Sequence, residues 1–125
     1  YSRVRKDEKL LLGELRERAE VEKIDTRSLS LGLDGARVEG DELAVDGLGV
    51  VVNRAMSFSR GLYATRFLES YGVPVVNEYE TSRVCGNKVE TSVVLNEAGV
   101  PTPDTRVAFT KDAALDTIES MGYPV

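Results

Sequence analysis

The chain has 125 residues, roughly one domain, and its 21 acidic and 16 basic residues give a net charge of −5. This acidic excess argues against a general nucleic-acid binder, which needs a basic stripe to displace counterions. With no histidine and one cysteine, the chain offers no His-based triad, internal disulfide or zinc site, and we place no metal ligand in it. The lone cysteine favours a cytoplasmic protein, and no apolar run approaches the ~20 residues that cross a bilayer.

Apolar spacing predicts alternating helices and strands in the first 80 residues. Apolar residues recur at three- and four-residue intervals over 6–19 and 57–70, the period of a helix. Residues 48–52 form a β-branched run without alternation, which is typical of a strand buried on both faces. Shorter strands are predicted over 21–24 and 73–76, and residues 28–46 are interpreted as a loop with at most one short strand. In the helix over 57–70 the inward stripe is predicted to comprise Leu62, Tyr63, Phe67, Leu68 and Tyr71.

The second half continues the α/β pattern after a proline-rich linker. Helices are predicted over 79–85, 87–98 and 111–121, with strands over 105–109 and from Tyr123 onward. The order predicts an α/β fold with a parallel sheet flanked by helices. Because the chain begins without methionine and stops inside a predicted strand, we expect it to be an internal piece of a longer protein.

Two segments carry hydroxyl and arginine side chains where strands should end. In a parallel sheet, residues 1–5 and 53–60 would both lie at the carboxyl ends of strands, where ligands of α/β sheets bind. Hydroxyls, guanidinium groups and helix-start N–H groups together suit an anion or a carboxylate. The alternative is that Ser57 or Ser59 caps a helix and the arginines are solvated. The candidate binding residues are Ser2, Arg3, Arg54, Ser57, Ser59 and Arg60.

Lys88 stands alone in the sequence, with no other lysine between Lys23 and Lys111. An ammonium group just inside a helix start is repelled by the helix dipole unless an anion lies there too. This position indicates a phosphate contact, and a solvated lysine is the alternative. The nearby Cys85 is predicted to be a small buried hydrophobe rather than a reactive thiol.

Several segments resemble, in order and spacing, one family of ligases. The chain is similar to the amino-terminal part of the RimK-type ATP-grasp ligases, closest to the lysine and arginine biosynthesis branch (LysX and ArgX). The resemblance implies a Rossmann-like pre-ATP-grasp α/β domain over residues 1–83, with its first strand missing. It also implies a truncated start of an ATP-grasp domain over 84–125. The segments are Tyr1–Leu11, Arg54 with Ser57–Arg60, Gly72–Asn77, Cys85–Lys88 and Ala98–Pro103.

The resemblance also implies an activity. These ligases use ATP and Mg²⁺ to join glutamate or α-aminoadipate to the carboxyl-terminal glutamate of a small acidic amino-group carrier protein, through an acyl phosphate. Lys88 matches the family lysine that contacts ATP. The second ATP lysine and the magnesium ligands would lie beyond Val125, so no catalytic residue is assigned and the chain alone is expected to be inactive. The chain departs from the family pattern at two positions: Asn87 stands where the family often has Asp, and Ala55 stands where it often has Cys. Both departures bear on substrate specificity.

The residues leave two alternatives open. One is a RimK-like glutamate ligase that modifies another protein or a cofactor. The other is a non-catalytic α/β binding module. The sequence does not decide between glutamate and α-aminoadipate, and it leaves homo-oligomerisation open.

Overall fold

The computed structural model describes residues 4–123 as a mixed α/β fold. The fold class predicted from the sequence is therefore confirmed. No helix within this range is long and apolar enough to span a bilayer. A 3-10 turn over Val45–Gly47 precedes the parallel strands. The elements are α1 (Lys6–Arg16), β1 (Leu29–Gly32), β2 (Gly35–Val38), β3 (Asp41–Glu42), β4 (Val51–Val52), α2 (Phe58–Ser70), β5 (Val75–Val76), α3 (Tyr79–Gly86), α4 (Lys88–Glu97) and α5 (Lys111–Met121).

Strands β4 and β5 form the predicted parallel pair. Val51 lies opposite Val75 and Val52 opposite Val76. The amide of Val51 donates to the carbonyl of Pro74 at 2.8 Å. The prediction that this strand is buried on both faces is wrong, because Val52 is 39% exposed while Val75 is buried. Within the described residues, the two-stranded sheet of β4 and β5 therefore has one covered face, and that face packs against α2.

The small core lies between α2 and the parallel strands. Leu68, Val73 and Val75 are its buried members, and Leu48 and Tyr71 pack around them. The face of α2 that lies inward is built from small residues, since Gly61, Ala64 and Thr65 are buried with Leu68. Small side chains let the helix axis approach the strands closely. The predicted inward position of Tyr63 is wrong, because this side chain is 62% exposed.

Residues 28–46 fold as an antiparallel meander instead of the predicted loop. Strand β2 pairs with β1 on one side and with β3 on the other. The turn between β2 and β3 has positive φ at both central residues, Glu39 (54°) and Gly40 (97°), as a tight type I′ hairpin turn requires. The hydroxyl of Tyr71 donates to the carbonyls of Gly32 and Gly35, at 2.5 and 3.0 Å, and so ties the meander to the end of α2.

Two of the predicted strands do not form. Residues 21–24 and 105–109 have no strand partner in the part of the chain that the structure describes. Tyr123, predicted to begin a strand, lies in a bend, and the two residues after it lie outside the described range. The predicted helices are confirmed, although α1 ends at Arg16 rather than at residue 19. Glycines with positive φ follow or end three helices: Gly72, Gly99 and Gly122.

The core predicts a clear contrast between two leucines. Leu68→Ala removes a buried side chain and leaves a cavity, so we expect the free energy of unfolding to fall by about 2–5 kcal/mol. Leu33→Ala is the matched control because Leu33 is 97% exposed. Urea denaturation of the protein measures both. Equal losses for the two variants would contradict the position of the core.

Candidate functional site

The segment that follows β4, residues 53–60, is held against α2 by Asn53. Its Nδ2 donates to the carbonyl of Gly61 and to Oγ1 of Thr65, each at 2.8 Å, and its Oδ1 accepts from the amide of Ala55 at 3.0 Å. Thr65 is fully buried. A Cβ at Gly61 would lie 3.2 Å from both Asn53 Nδ2 and the Cβ of Ala55. The segment therefore leaves the sheet in a fixed direction.

Sequence reasoning did not single out Asn53 as a functional position. The available signal was a polar residue placed directly after a buried strand, where a side chain commonly satisfies backbone groups of the next turn. Its two partners on α2 lie 8 and 12 residues further along the chain, and nothing in the local sequence indicates them.

Arg54 joins this segment to the start of α1. Its Nη2 donates to Oδ2 of Asp7 at 2.7 Å, across 47 positions of sequence. Both side chains are about half exposed, so the ion pair contributes about 0–1 kcal/mol. The contact brings the first turn of α1 beside residues 53–60. The candidates Ser2 and Arg3 lie outside the described residues.

Ser57 and Ser59 flank the start of α2. Ser57 occupies the N-cap position, but its side chain accepts no hydrogen bond from the helix backbone. Its Oγ lies 3.4 Å from Oγ of Ser59 instead. The alternative in which Ser57 caps the helix through its hydroxyl is therefore not what the structure contains. Two hydroxyls and the first amides of α2 face the same end of the helix, an arrangement suited to an oxyanion.

Arg60, in the first turn of α2, attracts the carboxylate of Asp25 in the turn at residues 25–27. Arg27 binds the carboxylate of Asp25 through its guanidinium, with Nη2 and Oδ2 at 2.5 Å, and through its backbone amide at 3.0 Å. These hydrogen bonds hold the pKa of Asp25 well below its usual range, and the charge of Arg60 adds a smaller attraction. Arg60 therefore lies close enough to this turn to influence it, and it forms no salt bridge among residues 4–123.

Lys88 is the first residue of α4, as the sequence predicts for a helix start. The preceding Asn87 caps the helix, its Oδ1 accepting from the amides of Val89 and Glu90 at 3.1 and 3.3 Å. Lys88 is exposed. The salt bridges within the described range involve arginine alone, so Lys88 pairs with no carboxylate there. Its ammonium carries a positive charge at the positive end of the helix dipole.

The start of α2 and the corner between α3 and α4 are in contact. The ring of Phe58 lies on the backbone of Gly86, where a Cβ would be only 1.9 Å from Cε2 of the ring. This contact links the segment 53–60 with the corner that carries Lys88. Cys85, next to Gly86, is exposed, so the prediction that it is a buried hydrophobe is wrong.

Clusters of metal-ligating side chains are absent from the described residues. Between residues 4 and 123, no group of three or more Asp, Glu, His or Cys side chains is arranged to hold a metal ion. Lys88 places an ammonium group beside the capped start of α4, and an ammonium is a group that can contact phosphate.

The family of the chain follows from its first two thirds. The family description of the LysX preATP-grasp domain matches residues 1–84. The chain belongs to this family. The resemblance to the lysine and arginine biosynthesis ligases is thereby confirmed, and the parallel pair with α2 and the meander all lie within the matched preATP-grasp domain. Lys88 lies just beyond the matched residues.

Proteins similar to this chain include three ligases that act on LysW. The chain is 41% identical over 76 residues to the glutamate–LysW ligase ArgX of Sulfolobus acidocaldarius, a match that covers 61% of the chain and 27% of the relative. It is 36% identical over 74 residues to the α-aminoadipate–LysW ligase LysX of Saccharolobus solfataricus, covering 59% of the chain and 27% of the relative. The ArgX ligase of Sulfurisphaera tokodaii is 37% identical over 76 residues, with 61% and 27% covered. The matches thus span about a quarter of the length of these relatives.

Asn53 predicts a local loss of stability in this preATP-grasp domain. Asn53→Ala removes both hydrogen bonds to α2 and leaves the buried Thr65 hydroxyl without this partner, at a cost of about 1–3 kcal/mol. We expect faster hydrogen exchange at the amides of α2. Asn96→Ala, at an exposed asparagine of α4, is the control. Unchanged α2 protection in Asn53→Ala would contradict the anchoring role.

The turn at residues 25–27 predicts a pKa response. Because Arg27 favours the ionised form of Asp25, the stabilisation is present above the ordinary carboxyl pKa and is lost as the pH falls below it. We expect Arg27→Ala to raise the pKa of Asp25 toward its usual value, measured by NMR of the carboxyl carbon. Arg37→Ala, at an exposed residue of β2, should leave the pKa unmoved. An unchanged pKa of Asp25 in Arg27→Ala would contradict the pairing of Arg27 with Asp25.

Proposed function

We propose that this chain is the amino-terminal part of an ATP-dependent carboxylate–amine ligase that acts in the cytoplasm on a small acidic amino-group carrier protein. Membership of the preATP-grasp family and the ligase names of the relatives support this proposal. The amino acid that is joined is glutamate or α-aminoadipate. Relatives of both kinds are similarly close, at 41% and 36% identity, so they favour neither substrate.

The proposed reaction has two steps, phosphoryl transfer to a carboxylate and then amide formation. A carboxylate of the carrier's carboxyl-terminal glutamate attacks the γ-phosphorus of ATP, which forms an acyl phosphate and releases ADP. The amine of the amino acid then attacks the acyl carbon, which forms the amide and releases phosphate and a proton. Magnesium ions, when bound, offset the charge that gathers on the phosphate oxygens. The residues of this chain contribute binding and orientation.

The nucleotide role rests on Lys88 because this residue matches the family lysine that contacts ATP, a match that Lys111 lacks although it also begins a helix. The ammonium of Lys88 is exposed, pairs with no carboxylate in the described range, and lies where the dipole of α4 repels it. A phosphate group bound at this point would be attracted by the ammonium and by the positive end of the dipole of α4, while the amides of Val89 and Glu90 stay bonded to Asn87. We therefore assign Lys88 to the triphosphate of ATP.

The segment after β4 is assigned to carboxylate binding. Ser57 and Ser59 present hydroxyls beside the first amides of α2, and Arg60 forms no salt bridge in the described range. Arg54 is hydrogen-bonded to Asp7, so a substrate carboxylate would have to share or replace that partner. Ser2 and Arg3 are proposed for the same role from sequence alone.

Two lysines in matched positions test the nucleotide role. Lys88 and Lys111 each occupy the first position of a helix and are exposed. In the full-length protein, Lys88→Ala should raise the KM for ATP about tenfold or more, since a hydrogen bond to a charged group contributes about 1.5–3 kcal/mol. Lys111→Ala should leave the KM unchanged. Equal KM values for Lys88→Ala and the unaltered protein would remove Lys88 from the site.

The substrates are tested by the requirements for ADP formation. We expect conversion of ATP to ADP only when the carrier protein and the amino acid are both present. ADP formation that needs the amino acid but accepts a different protein or cofactor would replace the carrier with another acceptor. No ADP formation under any of these conditions would favour a binding module instead of a ligase.

A further inference from the structure

The corner between α3 and α4 is crossed by side-chain contacts that hold the two helices at one angle. The chain turns at Asn87, with φ −116° and ψ 108°. Arg83 of α3 forms an ion pair with Glu90 of α4 through Nη1 and Oε2. The hydroxyl of Thr91 donates to the carbonyl of Val84 at 2.6 Å. Lys88 lies in the same first turn of α4 as Glu90.

Arg83 has two carboxylate partners, and only one of them crosses the corner. Its Nε donates to Oε2 of Glu80 at 2.8 Å, within α3. Its Nη1 donates to Glu90, in α4. The two glutamates carry the same charge and bind the same guanidinium, but loss of Glu90 alone removes an ionic contact between the helices. Substitutions of Glu80 and Glu90 therefore remove the same charge, but only the substitution of Glu90 removes the contact between α3 and α4.

We infer that Arg83 and Glu90 are positioning residues that fix the direction in which Lys88 meets the nucleotide. This inference rests on the proposed function, because it requires that Lys88 contacts ATP. A lysine side chain is long and flexible, so its effective contact with a phosphate depends on a fixed point of attachment. The Arg83–Glu90 pair supplies that fixed point by holding the first turn of α4 against the last turn of α3.

Charge alone and positioning predict opposite results for one substitution. Glu90→Gln removes a negative charge near the start of α4, which by simple electrostatics would strengthen binding of a triphosphate. Loss of positioning weakens it instead. In the full-length protein we expect Glu90→Gln to raise the KM for ATP about two- to five-fold, the range available to an ion pair of this exposure. Glu80→Gln should not raise the KM.

A double variant tests whether the effect passes through Lys88. If Glu90 acts only by positioning that side chain, Lys88→Ala with Glu90→Gln should have the KM of Lys88→Ala alone. An additional rise in the double variant would overturn the inference, and so would a Glu90→Gln KM at or below that of the unaltered protein. An unchanged KM in Lys88→Ala would instead overturn the nucleotide role itself, so the two failures are distinguishable.

A charge exchange keeps the test open if Glu90→Gln is poorly folded. Arg83→Glu combined with Glu90→Arg restores an ion pair across the corner with the charges reversed. We expect this double variant to have a lower KM for ATP than Arg83→Glu and than Glu90→Arg, since each single variant places two like charges at the corner and Glu90→Arg alone reports the effect of charge. Failure of the exchanged pair to recover any affinity in a folded protein would contradict positioning by this contact.

Discussion

The carboxamide of Asn53 is the contact on which the arrangement of the candidate site depends. It lies at the end of β4 and reaches two successive turns of α2, through Gly61 and the buried Thr65. Its Oδ1 also accepts from the amide of Ala55, which holds the first residues after the strand against α2. In the same segment Arg54 contacts Asp7 and Phe58 contacts Gly86, so residues 53–60 connect α2 with α1 and with the corner between α3 and α4.

The charges around this region differ in their availability to a ligand. Arg27, Arg54 and Arg83 are each hydrogen-bonded to a carboxylate, which offsets their charge. Lys88 and Arg60 have no such partner in the described stretch of chain. A net charge of −5 is therefore compatible with binding of an anion, because the local balance at these two side chains is positive.

Periodicity predicted the helices well because their hydrogen bonds are local. Lys88 could be placed at a helix start because Asn87, a favoured N-cap residue, precedes it. Strands depend on hydrogen-bonding partners that often lie far along the chain. Residues 21–24 and 105–109 have strand-like composition but no neighbouring strand in the described range, so no strand forms there.

The meander and Asn53 show two other limits of the sequence. Residues 28–46 were rich in glycine and acidic residues, which suggested a loop, but these residues supply the tight turns between short antiparallel strands. Asn53 looked like an ordinary loop residue because its partners lie in the following helix. The exposed position of Cys85 was missed because thiols are most often buried, a tendency that says little about a single residue.

The close contact between the ring of Phe58 and the backbone of Gly86 limits which substitutions each position can accept during evolution. Any side chain introduced at Gly86 would occupy the space that the ring of Phe58 fills, and the half-exposed ring could yield only by swinging into water. That movement would remove the contact between α2 and the corner between α3 and α4. Replacements at these two positions should therefore arise together in descendants of this domain, with a smaller residue at 58 accompanying a larger one at 86.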